Sequence, residues 1–505
     1  MTETSAFQLV HPNGPSATIP RMKTLITRSI AIVLVMLFAV SPLWATCGGG
    51  GGGGGGGMAS GGAPAEVYYV PWKVRAPKDP PPKGLVLYWF PASKEELQKS
   101  SLRASRTLSL YAGQCISMEL ADTNNPHAPK LIGESKLPVA VLATPDGTPV
   151  NKLENKDGKL KVDLLEKLVA SEVKQRETAL DTQLKEGKEK AKAGDSAGAI
   201  PLLKSVAEQQ CMFPKKAKDA AKELKKLGAE IAVVDERLFS APVFEPKLSA
   251  RIERTMRLGL MAELNARYRM AEKFYSNAHR MDPADPAPLR YLGEVYRHHT
   301  GEWDKARTTF EAILNMPADP LSRAVALHGL GKMTIHDGEF KEGLALMERS
   351  VEAYPLALTY RNLAVYWNSE GDPKKGNEYT QQALALDPKD PYNIVFAAVF
   401  MAAFGHGDEA LKIARENETL LPASYNLAAV YAQAGQREKA LSFLKRHFFT
   451  YERYQAVRAK EMMEARVDAV FDSLREDPAF VALTAGADGK LPIPMKGMNG
   501  SMQNR

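Results

Sequence analysis

The sequence predicts an all-α superhelix of stacked helical repeats preceded by a small α/β domain. Small residues that allow two helices to approach closely recur every 30 to 38 residues, at Gly259, Gly293, Gly331, Ala364, Ala398 and Ala428. A second small residue follows each of these, at Ala271, Ala306, Gly343, Gly376, Ala410 and Ala440. A period near 34 residues is typical of helix–turn–helix repeats. Upstream, between residues 66 and 180, three apolar runs alternate with helical patterns, which indicates α/β structure.

The motifs around these small residues resemble the tetratricopeptide repeat family. One unit carries the family's pattern most fully, in Leu292, Gly293, Tyr296, Gly301, Trp303, Ala306 and Phe310. Larger side chains follow the second small residue by four positions, at Tyr275, Phe310, Met347 and Leu444. The resemblance implies six repeats over 252–447 and capping helices over 448–485. In one departure from the family, the turn before Gly301 is one residue longer.

The N-terminal region has the features of an export signal. Lys23 and Arg28 precede an apolar run from Ile30 to Val40 that is too short to span a bilayer comfortably. We therefore predict a signal peptide over 1–46, starting at Met22 if the basic residues form its first part; an uncleaved anchor is the alternative. Cys47 resembles the acylated first residue of a bacterial lipoprotein, with ordinary cleavage after Ala45 as the alternative. A glycine-rich linker over 47–65 follows, because ten consecutive glycines cannot form a core.

The first folded domain is expected over 66–180. Strands are predicted at Val67–Val70, Gly84–Phe90, Cys115–Leu120 and Lys136–Leu142. Helices are predicted from Lys94, after an N-cap at Ser93, to Tyr111 and from Val162 to Arg176.

This order of elements resembles the thioredoxin fold, with Leu137-Pro138 where the family has a cis-proline. Phe90 and Ser93 stand where that family carries its two cysteines. Because disulfide exchange requires an attacking and a resolving thiol, the resemblance implies a domain without redox activity.

The remaining segments and the composition limit the function. A helical repeat-like unit with a connector is predicted over 181–251, and a disordered tail over 486–505. The net charge is +7, but no basic run has the interleaved aromatics of a nucleic-acid module, so nucleic acid is not an expected partner. No cofactor motif, metal-ligand spacing or catalytic set is present. Of three cysteines, Cys115 and Cys211 could form one bridge in an oxidising compartment.

The resemblance also implies a binding surface. In this repeat family the first helix of each unit lines a concave face, at positions three before the small residue and one and four after it. Those positions form a charged half and an apolar half, and the residues are Arg290, Glu294, Arg297, His328, Lys332, Arg361, Asn368, Val395 and Val399. Such a surface suits an extended peptide or protein segment with an acidic part. An ordinary solvated face is the alternative.

Two functions follow from these features. The first is an exported, non-enzymatic protein–protein interaction scaffold in the periplasm or anchored in the cell envelope, with membrane contact only through a lipid on Cys47. The alternative is an envelope thiol-handling protein that uses Cys115 or Cys211.

Overall fold

The computed structural model describes residues 66–76, 79–229 and 241–487. The described chain is mostly helical and contains one small four-stranded sheet. The predicted signal peptide, Cys47 and the glycine-rich linker lie outside the described residues, as does the tail from position 488. Within the described residues no helix combines the length and the apolar composition that a membrane crossing requires.

The sheet belongs to the N-terminal α/β domain. Its strands are β1 (Val86–Phe90), β2 (Ser117–Leu120), β3 (Val139–Ala143) and β4 (Pro149–Glu154), in the spatial order β2-β1-β3-β4. β1 is parallel to β2 and antiparallel to β3, and β4 is antiparallel to β3. Alternate side chains of β1 enter two separate cores: Leu87 and Trp89 lie in one, Tyr88 and Phe90 in the other. The sheet is therefore buried on both faces.

The helices of this domain differ in detail from the prediction. The single helix expected over 94–111 is divided into α1 (Lys94–Lys99), a 3-10 turn (Ser101–Arg103) and α2 (Arg106–Gly113), followed later by α3 (Ala128–Ile132). The interruption arises because Ser100 and Ser105 each accept a backbone N–H and so begin a new helix. Ser93 caps α1 as predicted, and the Leu137–Pro138 peptide is cis.

One strand prediction was wrong, and one strand was missed. Val67–Val70 is not a strand in the structure. β4 was not predicted, because this half-exposed edge strand lacks a clear alternation of apolar and polar residues.

Three helices connect the α/β domain to the rest of the chain. They are α4 (Val162–Lys192), α5 (Ser196–Glu208) and α6 (Pro214–Lys226). The expected boundary at residue 180 lies within α4, which is 31 residues long. Cys211, between α5 and α6, forms a disulfide with Cys115 before β2, with the two Cα atoms 5.9 Å apart.

Six helix pairs follow, each joined by a short turn. They are α7 (Pro246–Leu264) with α8 (Tyr268–Met281), α9 (Pro286–Glu294) with α10 (Trp303–Leu314), α11 (Pro320–His336) with α12 (Phe340–Ala353), α13 (Ala357–Ser369) with α14 (Pro373–Leu386), α15 (Pro391–Ala403) with α16 (Gly407–Asn417), and α17 (Tyr425–Gln433) with α18 (Arg437–Arg446). Three first helices begin with an Asp-Pro pair, in which the carboxylates of Asp285, Asp319 and Asp390 cap the helix and proline occupies its first turn.

The predicted small residues lie where the two helices of a pair meet. A Cβ atom added to Gly259 would overlap the ring of Tyr275, and one added to Gly293 would overlap the ring of Phe310. A Cβ at Gly331 would come within 2.9 Å of Met347. The partners are the larger side chains that the spacing had singled out in the second helices.

Two turns of π-helix interrupt the regular pattern. Val295–Thr300 extends α9, and His447–Tyr451 extends α18. The first lies at the turn that is one residue longer than the family pattern, and a π-turn accommodates an additional residue within a continuous helix.

The two ends of the described chain pack onto the helix pairs. Val67 and Tyr68 lie in the core of the first pairs, whereas Val70 and Trp72 lie in the core of the α/β domain, so residues 66–76 join the two parts. At the other end are α19 (Gln455–Val467), a 3-10 turn (Ala469–Leu474) and α20 (Pro478–Leu483). Phe471 and Phe480 cover the core of the last pairs.

Candidate binding site on the first-helix face

First helices of successive pairs contribute side chains to one surface, which we call the first-helix face. This face borders a cavity of about 170 Å³. The cavity receives side chains from the π-turn after α9 and from α11, α13, α15 and α17, including Arg297, His328, Lys332, Arg361, Tyr392 and Tyr425. Five of the six pairs therefore line one site.

Four of the predicted site residues lie together in this cavity: Arg297, His328, Lys332 and Arg361. Glu294 is buried beside them, where its carboxylate accepts two hydrogen bonds from Arg297, from Nη2 at 2.8 Å and from Nε at 3.2 Å. Arg361 donates to the side-chain oxygen of Asn393.

The other predicted residues lie elsewhere. Arg290 is 2% exposed, and its guanidinium lies 5.3 Å from the ring centre of Tyr291, on the helix that contacts residues 66–76. Asn368 and Val399 line a second hollow of about 30 Å³, together with Phe396, Phe400 and Gln433. Val395 is fully buried in the core of the last pairs, so its side chain does not reach either cavity.

The opposite wall of the larger cavity comes from the chain's own C-terminal segment, residues 452–468. Its acidic side chains face the first-helix face: Glu452, Glu461, Glu464 and Asp468. Glu464 forms an ion pair with Lys332 and lies 2.6 Å from His336 Nε2. The Tyr425 hydroxyl donates to Asp468 over 3.1 Å. The charged part of the predicted groove thus already holds a helix.

Sequence analysis did not identify this acidic wall. A signal was present, because residues 461, 464 and 468 are spaced three and four apart and so share one face of a helix. His298 and Tyr366 were also missed as lining residues. Helical spacing shows which residues of α19 share a side but does not show which surface that side contacts.

The two walls differ in their electrostatics. Burial, with the added repulsion of Arg297, Lys332 and Arg361, holds the pKa of His328 well below its usual value. Burial and the neighbouring His299 and Arg297 lower the pKa of His298 in the same way. Two histidines on the first-helix wall are therefore neutral at physiological pH, in a region of positive potential.

On the acidic wall the shifts are in the opposite direction. Burial raises the pKa of Glu452 well above its usual value, and the adjacent Glu461 adds to the increase. Burial raises the pKa of Asp468 to about 6. Glu464 differs, because Lys332 and His336 outweigh the effect of burial and lower its pKa. Burial therefore favours the neutral form of Glu452 and Asp468, whereas Lys332 and His336 keep Glu464 ionised.

Within 66–76, 79–229 and 241–487, no group of three or more His, Cys, Asp or Glu side chains could hold a metal ion. His299 instead stacks on the ring of Tyr268, with ring centres 4.2 Å apart, and its Nε2 lies 3.3 Å from Glu263.

Comparison with known proteins supports the class of fold. No family model matches the chain. An alignment over 235 residues shows 25% identity to the protein described as "Protein CTR9 homolog" from Arabidopsis thaliana, a tetratricopeptide-repeat protein; it covers 36% of this chain and 21% of that protein. The chain thus spans about a fifth of the relative's length. This similarity and the many helices fit a helical-repeat protein of the tetratricopeptide type with a small α/β domain.

Proposed function

We propose that this protein is an exported, non-enzymatic protein–protein interaction scaffold whose tetratricopeptide-type superhelix binds an extended segment of another protein. One observation carries the proposal: side chains from five successive pairs form one face, and that face holds a peptide segment, residues 452–468 of the chain itself. A surface that binds a segment through ion pairs and aromatic contacts has the properties needed to bind others.

The partner segment should bind next to the chain's own helix. The second hollow, lined by Asn368, Phe396, Val399 and Gln433, lies beside the charged cavity and shares Asp468 with it. Amide side chains can bind the partner's backbone, while Phe396 and Val399 can contact an apolar side chain. An acidic group of the partner would lie toward the cationic side chains of the first-helix face.

Capture from an envelope extract with the full chain tests this proposal. We expect Val399→Glu to lose the partners that the unaltered chain retains, because an uncompensated charge would enter the apolar hollow. Leu258→Glu, at a side chain that is 43% exposed on α7, is the matched control and should retain them. Equal recovery of partners by both variants would exclude the hollow as the binding surface.

The α/β domain is proposed to be a thioredoxin-like docking module without redox activity. Its strand and helix order and its packing against the helix pairs support this interpretation. Phe90 is fully buried in β1, and Ser93 caps α1. In an insulin-reduction assay we expect no turnover; turnover that Cys115→Ala abolishes would instead favour the thiol-handling alternative.

Export is the remaining part of the proposal. A disulfide between Cys115 and Cys211 persists in oxidising compartments and is rare in the cytosol, which supports a location in the cell envelope. Mass spectrometry of the protein's N-terminus tests it. A cytosolic chain that retains Ile30 to Val40 would contradict export, and Cys47→Ser should release the protein from membranes if Cys47 carries a lipid.

A further inference from the structure

Helix α7, the first of the helix pairs, exposes a continuous row of side chains. Its opposite side packs against α8, where Ile252, Met256 and Leu260 are at most 1% exposed. Successive members of the exposed row are three or four residues apart, so they lie one above another on a single side of the helix. We call this row the α7 stripe, and its members, all exposed, are Lys247, Arg251, Arg254, Leu258, Met261 and Leu264.

The N-terminal half of the α7 stripe is basic. Its three cationic side chains form no ion pair or hydrogen bond with any residue that the structure describes. Two acidic side chains beside the stripe, Glu66 and Glu253, lie 3.8 Å and 3.5 Å from Arg257 Nη2 instead. The stripe therefore carries positive charge without a counter-ion, and such a charge favours contact with an anionic surface.

The C-terminal half of the α7 stripe is apolar. Leu258, Met261 and Leu264 are 43%, 60% and 42% exposed, and none of them lines either hollow of the first-helix face. Isolated exposed apolar side chains are ordinary, but a contiguous row of them marks an interaction surface. A bilayer surface matches both halves, because it presents anionic headgroups directly above acyl chains and requires no groove on the protein.

The N-terminal part of the chain joins the described structure beside this stripe. Glu66 is the first described residue, and its ion pair with Arg257 places it on α7 next to Leu258. The candidate lipidation site, Cys47, precedes it in the chain. Any tether to a membrane that begins at Cys47 therefore reaches the folded protein next to the α7 stripe.

We propose that the α7 stripe is a membrane-contact face that binds anionic phospholipid at a bilayer surface. Its three basic members contact headgroup phosphates, while its three apolar members enter the boundary between headgroups and acyl chains. Contact of this kind is reversible and weakens with salt, because a large part of it is electrostatic. It requires neither a lipid on Cys47 nor the peptide-binding hollow.

A polarity-sensitive label on the stripe tests the proposal. A nitrobenzoxadiazole fluorophore is attached to Met261→Cys in the full chain with Cys47→Ser, in which Cys115 and Cys211 are bonded to each other. Phosphatidylcholine vesicles with about 30% phosphatidylglycerol should raise and blue-shift the emission, whereas pure phosphatidylcholine should have little effect. The same label on Phe404→Cys, at a side chain that is 56% exposed directly after α15, is the matched control and should not respond.

Comparison of the two labelled sites separates contact by the stripe from vesicle binding through another part of the chain. Absence of a response at position 261 to the anionic vesicles, or an equal response at position 404, would overturn the proposal. An equal blue shift on addition of soluble poly-L-glutamate would identify an acidic protein segment as the ligand and would also overturn it.

Neutral variants test the basic half of the stripe. Lys247→Gln combined with Arg251→Gln and Arg254→Gln should raise the lipid concentration for half-saturation about 100-fold, because each basic side chain near an anionic surface strengthens binding about fivefold. Three exposed lysines of second helices provide a control with the same change in net charge: Lys341→Gln, Lys374→Gln and Lys412→Gln. This control should respond normally. An equal loss in both triple variants would indicate general charge attraction and would contradict a defined face.

The outcome is separable from that of the scaffold proposal. Leu258→Glu, which places a negative charge within the apolar half, should abolish the vesicle response but retain the captured protein partners. Val399→Glu, in the hollow of the first-helix face, should show the reverse. Loss of the vesicle response in Val399→Glu as well would contradict a membrane-contact face confined to α7.

Discussion

The ring of Phe310 lies between two glycines from neighbouring first helices. A Cβ atom added to Gly293 of α9 or to Gly329 of α11 would overlap this ring from either side. The repeat spacing predicted Gly293 but not Gly329, since the latter contacts the adjacent pair and lies outside the periodic series. One aromatic side chain thus connects two pairs through positions where only glycine leaves enough space.

At this residue scale, a single methyl group tests the close packing. Gly293→Ala should lower the free energy of unfolding by about 1–3 kcal/mol, because the added atom overpacks the core. Gly407→Ala is the matched control: a Cβ there meets no atom within 4 Å, so stability should be unchanged or slightly higher. Chemical denaturation of both variants measures the difference. Equal stability would show that the core adjusts to the added atom.

Arg106 forms a buried ionic cluster between the α/β domain and the helix pairs. The side chain is 1% exposed, forms an ion pair with Asp282 and donates to Asp285 over 2.8 Å. It also donates to Ser249 over 2.7 Å, while the Tyr68 hydroxyl donates to Asp285 over 2.7 Å. Even with these partners, burial raises the pKa of Asp285.

Replacing this arginine should destabilise the protein strongly. Arg106→Met leaves two buried carboxylates uncompensated, which costs about 3–5 kcal/mol. The pKa of Asp285 should then rise further, so the folded variant binds protons more tightly than the unfolded chain does. The stability deficit of the variant relative to the unaltered protein should therefore become smaller as pH falls from about 7 to 5. Thermal melts across this range measure the effect, with Arg307→Met at the more exposed Asp337 pair as a control that should change little.

At the scale of elements, α19 covers the charged half of the first-helix face. Val457, Met462 and Ala465 are buried, while Lys460 lies 4.0 Å from the ring centre of Trp303. Helix α19 therefore contacts the second pair as well as the last ones. Capping the array and filling its charged face are functions of the same short segment.

The Lys332–Glu464 ion pair should hold α19 in place. Glu464→Gln should weaken the docking of α19 by about 1.5–3 kcal/mol, the usual contribution of a hydrogen bond to a charged group. Because the pKa of Glu464 is lowered on folding, its contribution is present at neutral pH and is lost as pH falls below about 4.3. The variant should show less of this acid sensitivity.

Hydrogen exchange measures that docking directly. Amides of α19 and of the π-turn Val295–Thr300 should exchange faster in Glu464→Gln, while α5 and α6 keep their protection. Glu438→Gln, at an exposed carboxylate, is the control and should leave the pattern unchanged. If α19 exchanged at the same rate in all three proteins, its apolar contacts alone would hold it.

At the scale of the whole molecule, a disulfide links the α/β domain to the connecting helices, and residues 66–76 link it to the helix pairs. Cys115 and Cys211 are 96 residues apart in sequence, so their bond closes a long loop from the α/β domain to the segment between α5 and α6. Residues 66–76 contribute side chains to the core of the first helix pairs and to one core of the α/β domain. The α/β domain and the helix pairs are therefore expected to unfold together.

Removing the disulfide should lower the stability of the whole chain. Cys115→Ser combined with Cys211→Ser should reduce the free energy of unfolding by about 2–4 kcal/mol, mainly because the unfolded chain is less constrained. A reducing agent should lower the Tm of the unaltered protein in the same way, whereas Cys47→Ser should not change it. A thiol reagent should find neither Cys115 nor Cys211 reactive in the folded protein. An unchanged Tm under reducing conditions would argue against the bond.

The sequence by itself determined most of the local structure. Small-residue spacing indicated helices that the structure contains, because the close packing of a helix pair depends on residues near one another in the chain. Clustered apolar runs indicated β1 and β3, since strands buried on both faces are continuously apolar. The sequence also indicated four side chains that line the cavity: Arg297, His328, Lys332 and Arg361.

Only the tertiary structure decided what these side chains face. Arg290 and Lys332 were both predicted to line the concave face, yet Arg290 lies on the helix that contacts residues 66–76, while Lys332 forms an ion pair with Glu464 on α19. Those neighbours are more than 100 residues away in the chain, and helical periodicity carries no information about such distant contacts. The same limit applies to the Arg106 cluster, because burial and its effects on pKa arise only when distant segments pack together.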